Sequence, residues 1–199
     1  THFNTNLLMK ENASERINMV LKINDYPTCV KNYSKSLLKN INRNKSKLEI
    51  HTEINIPQTV EFYKAAYGKL NPQLKEEDYK TLSGLANSYP RHFVNIHLYN
   101  SSVAVASLLF VKGKNRLHYI LGAPNDTGRK LNALSVGIDF VIKNYTGKNM
   151  ILDFEGSMIS SVRNFYGSFG AYNEPFFTVQ MQSKLLKLLA KGYSKLVKS

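Results

Sequence analysis

A single cysteine in 199 residues rules out a disulfide within the chain and makes a reducing cytoplasm the expected setting. No apolar run approaches the ~18 residues of a membrane-spanning helix, and no charged-then-apolar leader opens the sequence. Residue 1 is Thr1 rather than Met, so the chain reads as a trimmed product or a piece of something longer. Acidic residues are scarce: 14 against 27 Lys and Arg give a formal charge of +13. That balance favours an anionic partner such as a nucleic acid, a nucleotide, a phosphorylated substrate or an anionic membrane surface. The five histidines lack metal spacing. His92 and His97 fall on opposite sides of a presumed strand, His118 stands among apolar neighbours, and no metal is expected. G-x-S-x-G is also missing, so Ser157 reads as a capping or solvent-facing residue rather than a nucleophile.

What remains is an ordinary globular composition, 43% apolar and 21% charged, enough for one good core or two small ones. The polar, Asn-rich first 30 residues predict at most a strand or an extended arm. From Asn32 to Lys47, cations at 31, 35, 39 and 43 line one face while Leu37, Leu38 and Ile41 line another, which predicts a basic amphipathic helix. Alternation over 47–54 predicts a strand. Helices follow from Pro57 to Leu70 and from Glu76 to about Ser88, ending before Pro90. Segments 92–99, 102–111 and 116–123, separated by short turn-formers, predict an antiparallel meander. A loop, PNDTGRK, then leads to a helix over about 131–145, a strand over 150–155, a short helix over about 159–168 and a strand over 175–182. The tail over 184–198 predicts a basic amphipathic helix.

Strand, helix, strand with a short crossover implies parallel pairing and a right-handed connection. Ligands of such sheets gather at the strand's carboxyl edge, where the next helix presents free N–H groups and the positive end of its dipole. Residues 124–132 occupy that edge. Gly128, Arg129 and Lys130, with the amides after them, form a candidate pyrophosphate grip, and Asn132 is either part of it or a helix cap. At the end of the next strand, Asp153 and Glu155 share a face while Leu152 and Phe154 take the other. A buried Asp153 that accepts backbone N–H bonds would fix the following turn. Glu155 ends the strand before Gly156 and Ser157, a step that lets a substrate come close.

The stretches LDFEGSMISSVRNFYGSFGA, YSKSLLKNINRNKSKLEI, HYILGAPNDTGRKLNAL and HFNTNLLM resemble the Fem-like (FemABX-type) branch of the GNAT N-acyltransferase superfamily. The likeness runs over most of the chain and is strongest in D-F-E-G-S and F-Y-x-S-F-G-A. It implies an α+β GNAT fold: a mixed central sheet flanked by helices, with two parallel strands that splay apart around an acyl donor. Fem-like members use aminoacyl-tRNA to extend cell-wall precursors, whereas typical GNAT members use acyl-CoA, so either donor is implied. The GNAT pyrophosphate loop usually reads Arg or Gln, then Gly-x-Gly/Ala. GRKLNA keeps a Gly, an Arg and Ala133 without that spacing, which counts against acetyl-CoA. The resemblance also implies an oxyanion-binding amide near Leu121, Gly122 and Ala123, a base at Glu155 acting directly or through water, and Tyr166 protonating the leaving group. Phe165, Tyr166 and Phe169 at helical spacing read equally as core.

Fem-type proteins usually carry two such domains, so residues 1–46 are expected to be a lead-in left from a preceding domain, with the acyltransferase domain over 47–199. The expected function is transfer of an acyl or aminoacyl group to an amine, on a small molecule or a cell-wall precursor. The alternative is a noncatalytic module that binds RNA or another polyanion through its basic surface, or lies against a membrane through its tail.

Overall fold

The computed structural model describes residues 13–156 and 158–179, which fall into two compact units. The larger spans Asn18–Glu174. Its seven-stranded sheet has the order β3-β4-β5-β6-β7-β2-β8, formed by β2 (Met19–Ile23), β3 (Glu49–Thr52), β4 (Phe93–Asn100), β5 (Val103–Lys112), β6 (Arg116–Pro124), β7 (Met150–Asp153) and β8 (Tyr172–Asn173). Every pairing is antiparallel except β6 with β7. In the other unit, β1 (Ala13–Arg16) pairs antiparallel with β9 (Phe176–Val179), and the hydroxyls of Ser14 and Thr178 share a hydrogen bond of 2.7 Å. The expected tail helix and the opening HFNTNLLM lie outside the described residues.

Helices cover both faces of the larger sheet. On one lie α3 (Ile56–Tyr67) and α4 (Glu76–Ser88), where Ile56, Val60, Tyr79 and Ala86 close over Leu109 and Leu121. A buried polar bridge reinforces this contact. The Asn95 amide donates to Thr59 Oγ1 at 2.9 Å and to the Leu108 carbonyl at 3.0 Å, and Thr59 shares a 2.7 Å bond with Ser107. On the other face lies α6 (Ala133–Tyr145), with Gly137 against Leu98 and Leu108. Beside α6 pack α1 (Tyr26–Lys31) and α2 (Lys35–Asn44). Helix α2 forms as its pattern predicts: Ser34 caps it through the Leu37 N–H, Leu37 and Ile41 are buried, and Lys35, Lys39 and Arg43 stay exposed.

The division of the chain does not fall near Lys47. Strand β2 is an interior strand between β7 and β8. The hydroxyls of Tyr26 and Tyr33 donate to the buried Asp139 carboxylate of α6 at 2.9–3.0 Å, which ties residues 26–33 into the same core. Burial, with the Asp139 charge, pushes the Tyr26 phenol up to about 12. Residues 18–46 are therefore built into the sheet unit. Their first helix escapes sequence reading, and the strand shows there only as a strand or extended arm, because each is only five or six residues long and draws its stability from distant partners.

His97 on β4 is fully buried, and neither ring nitrogen has a hydrogen-bond partner among the described residues. Burial lowers its pKa below the usual value, with Glu53 nearby opposing part of the shift. The folded state refuses a proton that the unfolded chain accepts near pH 6.5, so stability should fall as pH drops below about 6.5. His97→Leu is expected to flatten this acid limb and to raise the unfolding free energy at pH 7.5 by about 1 kcal/mol, measured by urea unfolding across pH 5–8. An unchanged acid limb in the variant would remove His97 as its cause.

Candidate functional site

Strands β6 and β7 run parallel for three residue pairs, Arg116↔Ile151, Leu117↔Leu152 and His118↔Asp153, and there the ladder ends. Beyond it β6 continues to Pro124 paired only with β5, while β7 stops at Asp153. A bulge marks the departure: Tyr119 faces Phe110 and Leu121 faces Leu109, which leaves Ile120 out of the ladder and 39% exposed. The sheet thus opens at the carboxyl edge of β6, and its two faces differ there.

One face carries a polar cluster. Arg116, His118 and Asp153 share it by register. Arg116 Nη1 donates to Asp153 Oδ2 at 2.6 Å and Nη2 to Glu174 Oε2 at 2.8 Å, a charge-assisted pair of contacts. The Asn18 amide donates to Asp153 Oδ2 at 3.3 Å. Asp153, 3% exposed, accepts the Glu155 N–H on Oδ1 at 2.8 Å, the turn-fixing bond read from the sequence. Glu155 itself sits at φ +58 and Gly156 at φ +75. A non-glycine residue in the left-handed region is costly, and it breaks the strand alternation that placed Glu155 beside Asp153. The effect is to bring Glu155 Oε1 within 2.5 Å of His118 Nδ1. Ser157 lies outside the described residues.

His118 and Arg116 are the site residues that sequence reasoning missed. Their signal was available: two basic positions alternate with Leu117 and Tyr119, so one face of β6 is polar just where its parallel neighbour ends. One ligand atom each of His118, Asp153 and Glu155 lies within 4.8 Å of the others, a spacing that a metal ion tolerates. The same Asp153 oxygen already receives the Arg116 guanidinium, which would set a fixed positive charge against the ion. With Arg116 already on Asp153, the His118–Glu155 contact is a hydrogen bond between an imidazole and a carboxylate.

The opposite face is aromatic. Phe154 stacks on Tyr166 of α7 (Ser160–Gly167) at 4.4 Å, and Tyr119 meets both rings edge-on at 6.3 Å while stacking on Phe110 at 5.0 Å. The Tyr119 hydroxyl rests against Gly122, whose missing side chain makes room for it. The expected opening is therefore present in the backbone but packed with rings on this side. Tyr166 belongs to that packing, and burial pushes its phenol up to about 12. It stays protonated through neutral pH and acts as a hydrogen-bond donor more readily than as an acid. Leu121 points into the core beneath α3 and α4, and Ala123 is buried.

Residues 124–132 differ from the expected open loop. They wind into a helical turn, α5 (Asp126–Lys130), capped by Asn125, whose Oδ1 accepts the Gly128 N–H at 2.9 Å. The N–H groups of Arg129, Leu131 and Asn132 go to the carbonyls of Asn125, Thr127 and Arg129, so four amides of this turn, Leu131 and Asn132 among them, have internal acceptors. Gly128 is buried because the turn presses on the Val105 carbonyl, which also accepts the Asn125 N–H at 2.9 Å. A methyl at Gly128 would collide with that carbonyl, and no side chain there can move aside. Gly128→Ala is expected to cost about 2 kcal/mol in thermal or urea unfolding, and a neutral result would show that the turn is free to shift. Asn132 adopts φ +52 before α6 and makes no side-chain cap, which leaves the first-turn amides Ala133–Ser135 as those the helix itself does not use. Arg129 and Lys130 are exposed, and the Arg129 guanidinium lies 5.8 Å from the Tyr67 ring. A cleft of about 530 Å³ opens beside them between Gln58, Glu61 and Phe62 of α3, Val103 of β5 and the Pro124–Asp126 turn. It lies six residues along β6 from His118, about 20 Å at strand spacing.

No protein-family model matches the sequence, and no curated protein does. Solved structures do. FemX superposes with a TM-score of 0.67 at 9% identity, covering 88% of this chain and 63% of its own. L-PGS from Bacillus licheniformis gives 0.58 at 9% identity over 98% and 70%. A possible acetyltransferase from Clostridium difficile 630 gives 0.54 at 13% identity over 68% and 97%. The fold is the GNAT N-acyltransferase fold, arranged as in FemX. The chain spans less than two thirds of the length of FemX. Among the described residues no helix is long and apolar enough to cross a membrane.

Proposed function

We propose that this GNAT-fold chain transfers an acyl or aminoacyl group from an activated donor to an amine. The observation that carries the reading is the parting of two parallel strands in an acyltransferase fold, with a carboxylate and an imidazole in contact at the point of parting. In the reaction a nitrogen–carbon bond forms at the donor's carbonyl, and its bond to sulfur in a thioester, or to ribose oxygen in an aminoacyl-tRNA, breaks. The amine proton must leave and the departing thiolate or alkoxide must gain one. An alkylamine with a pKa near ~10.4 spends about 4 to 5 kcal/mol being neutral at pH 7, so a nearby base lowers the barrier. The Glu155–His118 pair stands where such a base is needed. The backbone at the Ile120 bulge and Leu121–Ala123 supplies the N–H groups that would receive the oxyanion, and Tyr166 offers a hydrogen bond to the leaving group. The first turn of α6, with Arg129 and Lys130, is the place for the donor's phosphates.

The acceptor on this reading is an amine of a small molecule or a cell-wall precursor, and the donor is acyl-CoA or aminoacyl-tRNA. The exposed cations of α2 suit the tRNA backbone. A second reading, a noncatalytic module for RNA or another polyanion, is favoured by the rings on one side of the parting and by the internally bonded amides of α5. Thermal shift with CoA, acetyl-CoA and alanyl-tRNA separates the two. A donor at 100 times its Kd should stabilise the chain by about 2.7 kcal/mol and support turnover with an amine. Binding to RNA alone that vanishes with salt, without turnover, would favour the module.

A further inference from the structure

We infer that His118 takes the proton from the attacking amine and that Glu155 positions it, an inference that rests on the transferase reading above. A carboxylate only accepts hydrogen bonds, so the 2.5 Å contact fixes the proton of a neutral His118 on Nδ1. The lone pair then lies on Nε2. That nitrogen makes no hydrogen bond among the described residues, and the side chain is 33% exposed, so an incoming group can reach it. This is the division of labour by which a carboxylate sets the tautomer and direction of an imidazole base.

The supports of the pair extend well beyond the contact. Glu155 is held by the left-handed backbone at φ +58 and by its own N–H on Asp153. Asp153 is in turn held by Arg116 and Asn18, and Arg116 by Glu174. Five residues, from β6, from β7 and the turn after it, and from the segments flanking β2 and β8, thus determine where one imidazole points. An imidazole is by nature a stronger base than a carboxylate, and so a better match to an amine near neutral pH. Glu155 has its Oε1 committed to His118, so a direct role for it would require breaking the contact that its strained backbone maintains. The positive charge formed on His118 during transfer would sit between Glu155 and, 4.0 Å away, Asp153.

The test uses the full chain in two arms. The first records ¹⁵N–¹H correlation spectra of the His118 ring at a pH where it is neutral. The expected result is the Nδ1–H tautomer, changing to a mixture in Glu155→Gln; an Nε2–H tautomer in the wild type overturns the inference. The second arm measures transfer to an alkylamine from acetyl-CoA or alanyl-tRNA, whichever stabilises the chain. His118→Gly should lower kcat at least ~100-fold with the donor KM little changed, and free imidazole should restore part of the rate. Turnover within threefold of wild type in His118→Gly overturns the inference and leaves the transferase reading intact. A fold-wide loss in that variant appears as a shifted unfolding midpoint without imidazole rescue and counts against it. Absence of turnover in the wild type with both donors removes the transferase reading, and the inference falls with it.

Discussion

Replacing Phe154 by alanine is expected to lower the unfolding free energy by about 3 to 5 kcal/mol. Phe154 is 2% exposed, stacks on Tyr166 at 4.4 Å and contacts Tyr119 and Phe169 at 6.3 and 6.2 Å. It is the first residue beyond the β6–β7 ladder, whose last pair is His118↔Asp153, so its ring packs where the two strands part. Its removal would leave a cavity walled by three other rings and by backbone the sheet holds in place, so collapse is restricted and the cavity cost remains. Against a typical total of 5–15 kcal/mol the loss is severe. Urea unfolding reads it directly, with Phe154→Leu as a milder control that keeps most of the apolar volume, loses the ring contacts and should cost less than alanine. A loss for alanine as small as that for leucine would mean that the wedge closes up and that the rings do not prop the strands apart.

Arg116→Met should cost about 3 kcal/mol, through what it leaves behind rather than what it removes. The Asp153 side chain is 5% exposed, and Arg116 supplies its charge partner at 2.6 Å. With Arg116 gone, a buried carboxylate keeps the 3.3 Å amide of Asn18, the Glu155 N–H and the His118 imidazole at 4.0 Å, none of them a fixed positive charge. Adding Asp153→Asn removes the stranded charge, so the double variant should be more stable than Arg116→Met alone. The coupling measured by the full cycle should exceed 1 kcal/mol. Additive losses would show that water already screens the pair. Glu174, 44% exposed at its side chain, should matter far less, as solvent screening predicts.

Much of this architecture is legible one segment at a time. The meander over 93–124 follows from alternation and short turns; Ser101 and Ser102 make the tight β4–β5 turn at φ +49 and +64 without the Asn-Gly usually found there. Helices α2, α4 and α6 lie where periodicity and caps put them, and the parallel pairing of β6 and β7 follows from the crossover helix between them. The PNDTGRK segment, in contrast, was expected as an open loop and is a helical turn. Its cause is a β5 bulge at Val105, a carbonyl twenty or more residues away in sequence that meets Asn125 and Gly128. The place of residues before Lys47 in the sheet has the same kind of cause: β2 takes its place from β7, across more than 120 residues.

The sequence by itself determined which segments are helix or strand, that β6 and β7 lie side by side, and that Asp153 and Glu155 end a strand. Those are consequences of short-range patterns, where side-chain spacing and local backbone preference decide. Only the tertiary structure decided that His118 meets Glu155, because that depends on the register of a parallel pair and on one residue held at positive φ. Neither leaves a periodic trace. Register is set by the packing of both sheet faces at once, and the strain at Glu155 is borne by bonds from Asp153, Arg116 and Asn18, which are remote from one another along the chain.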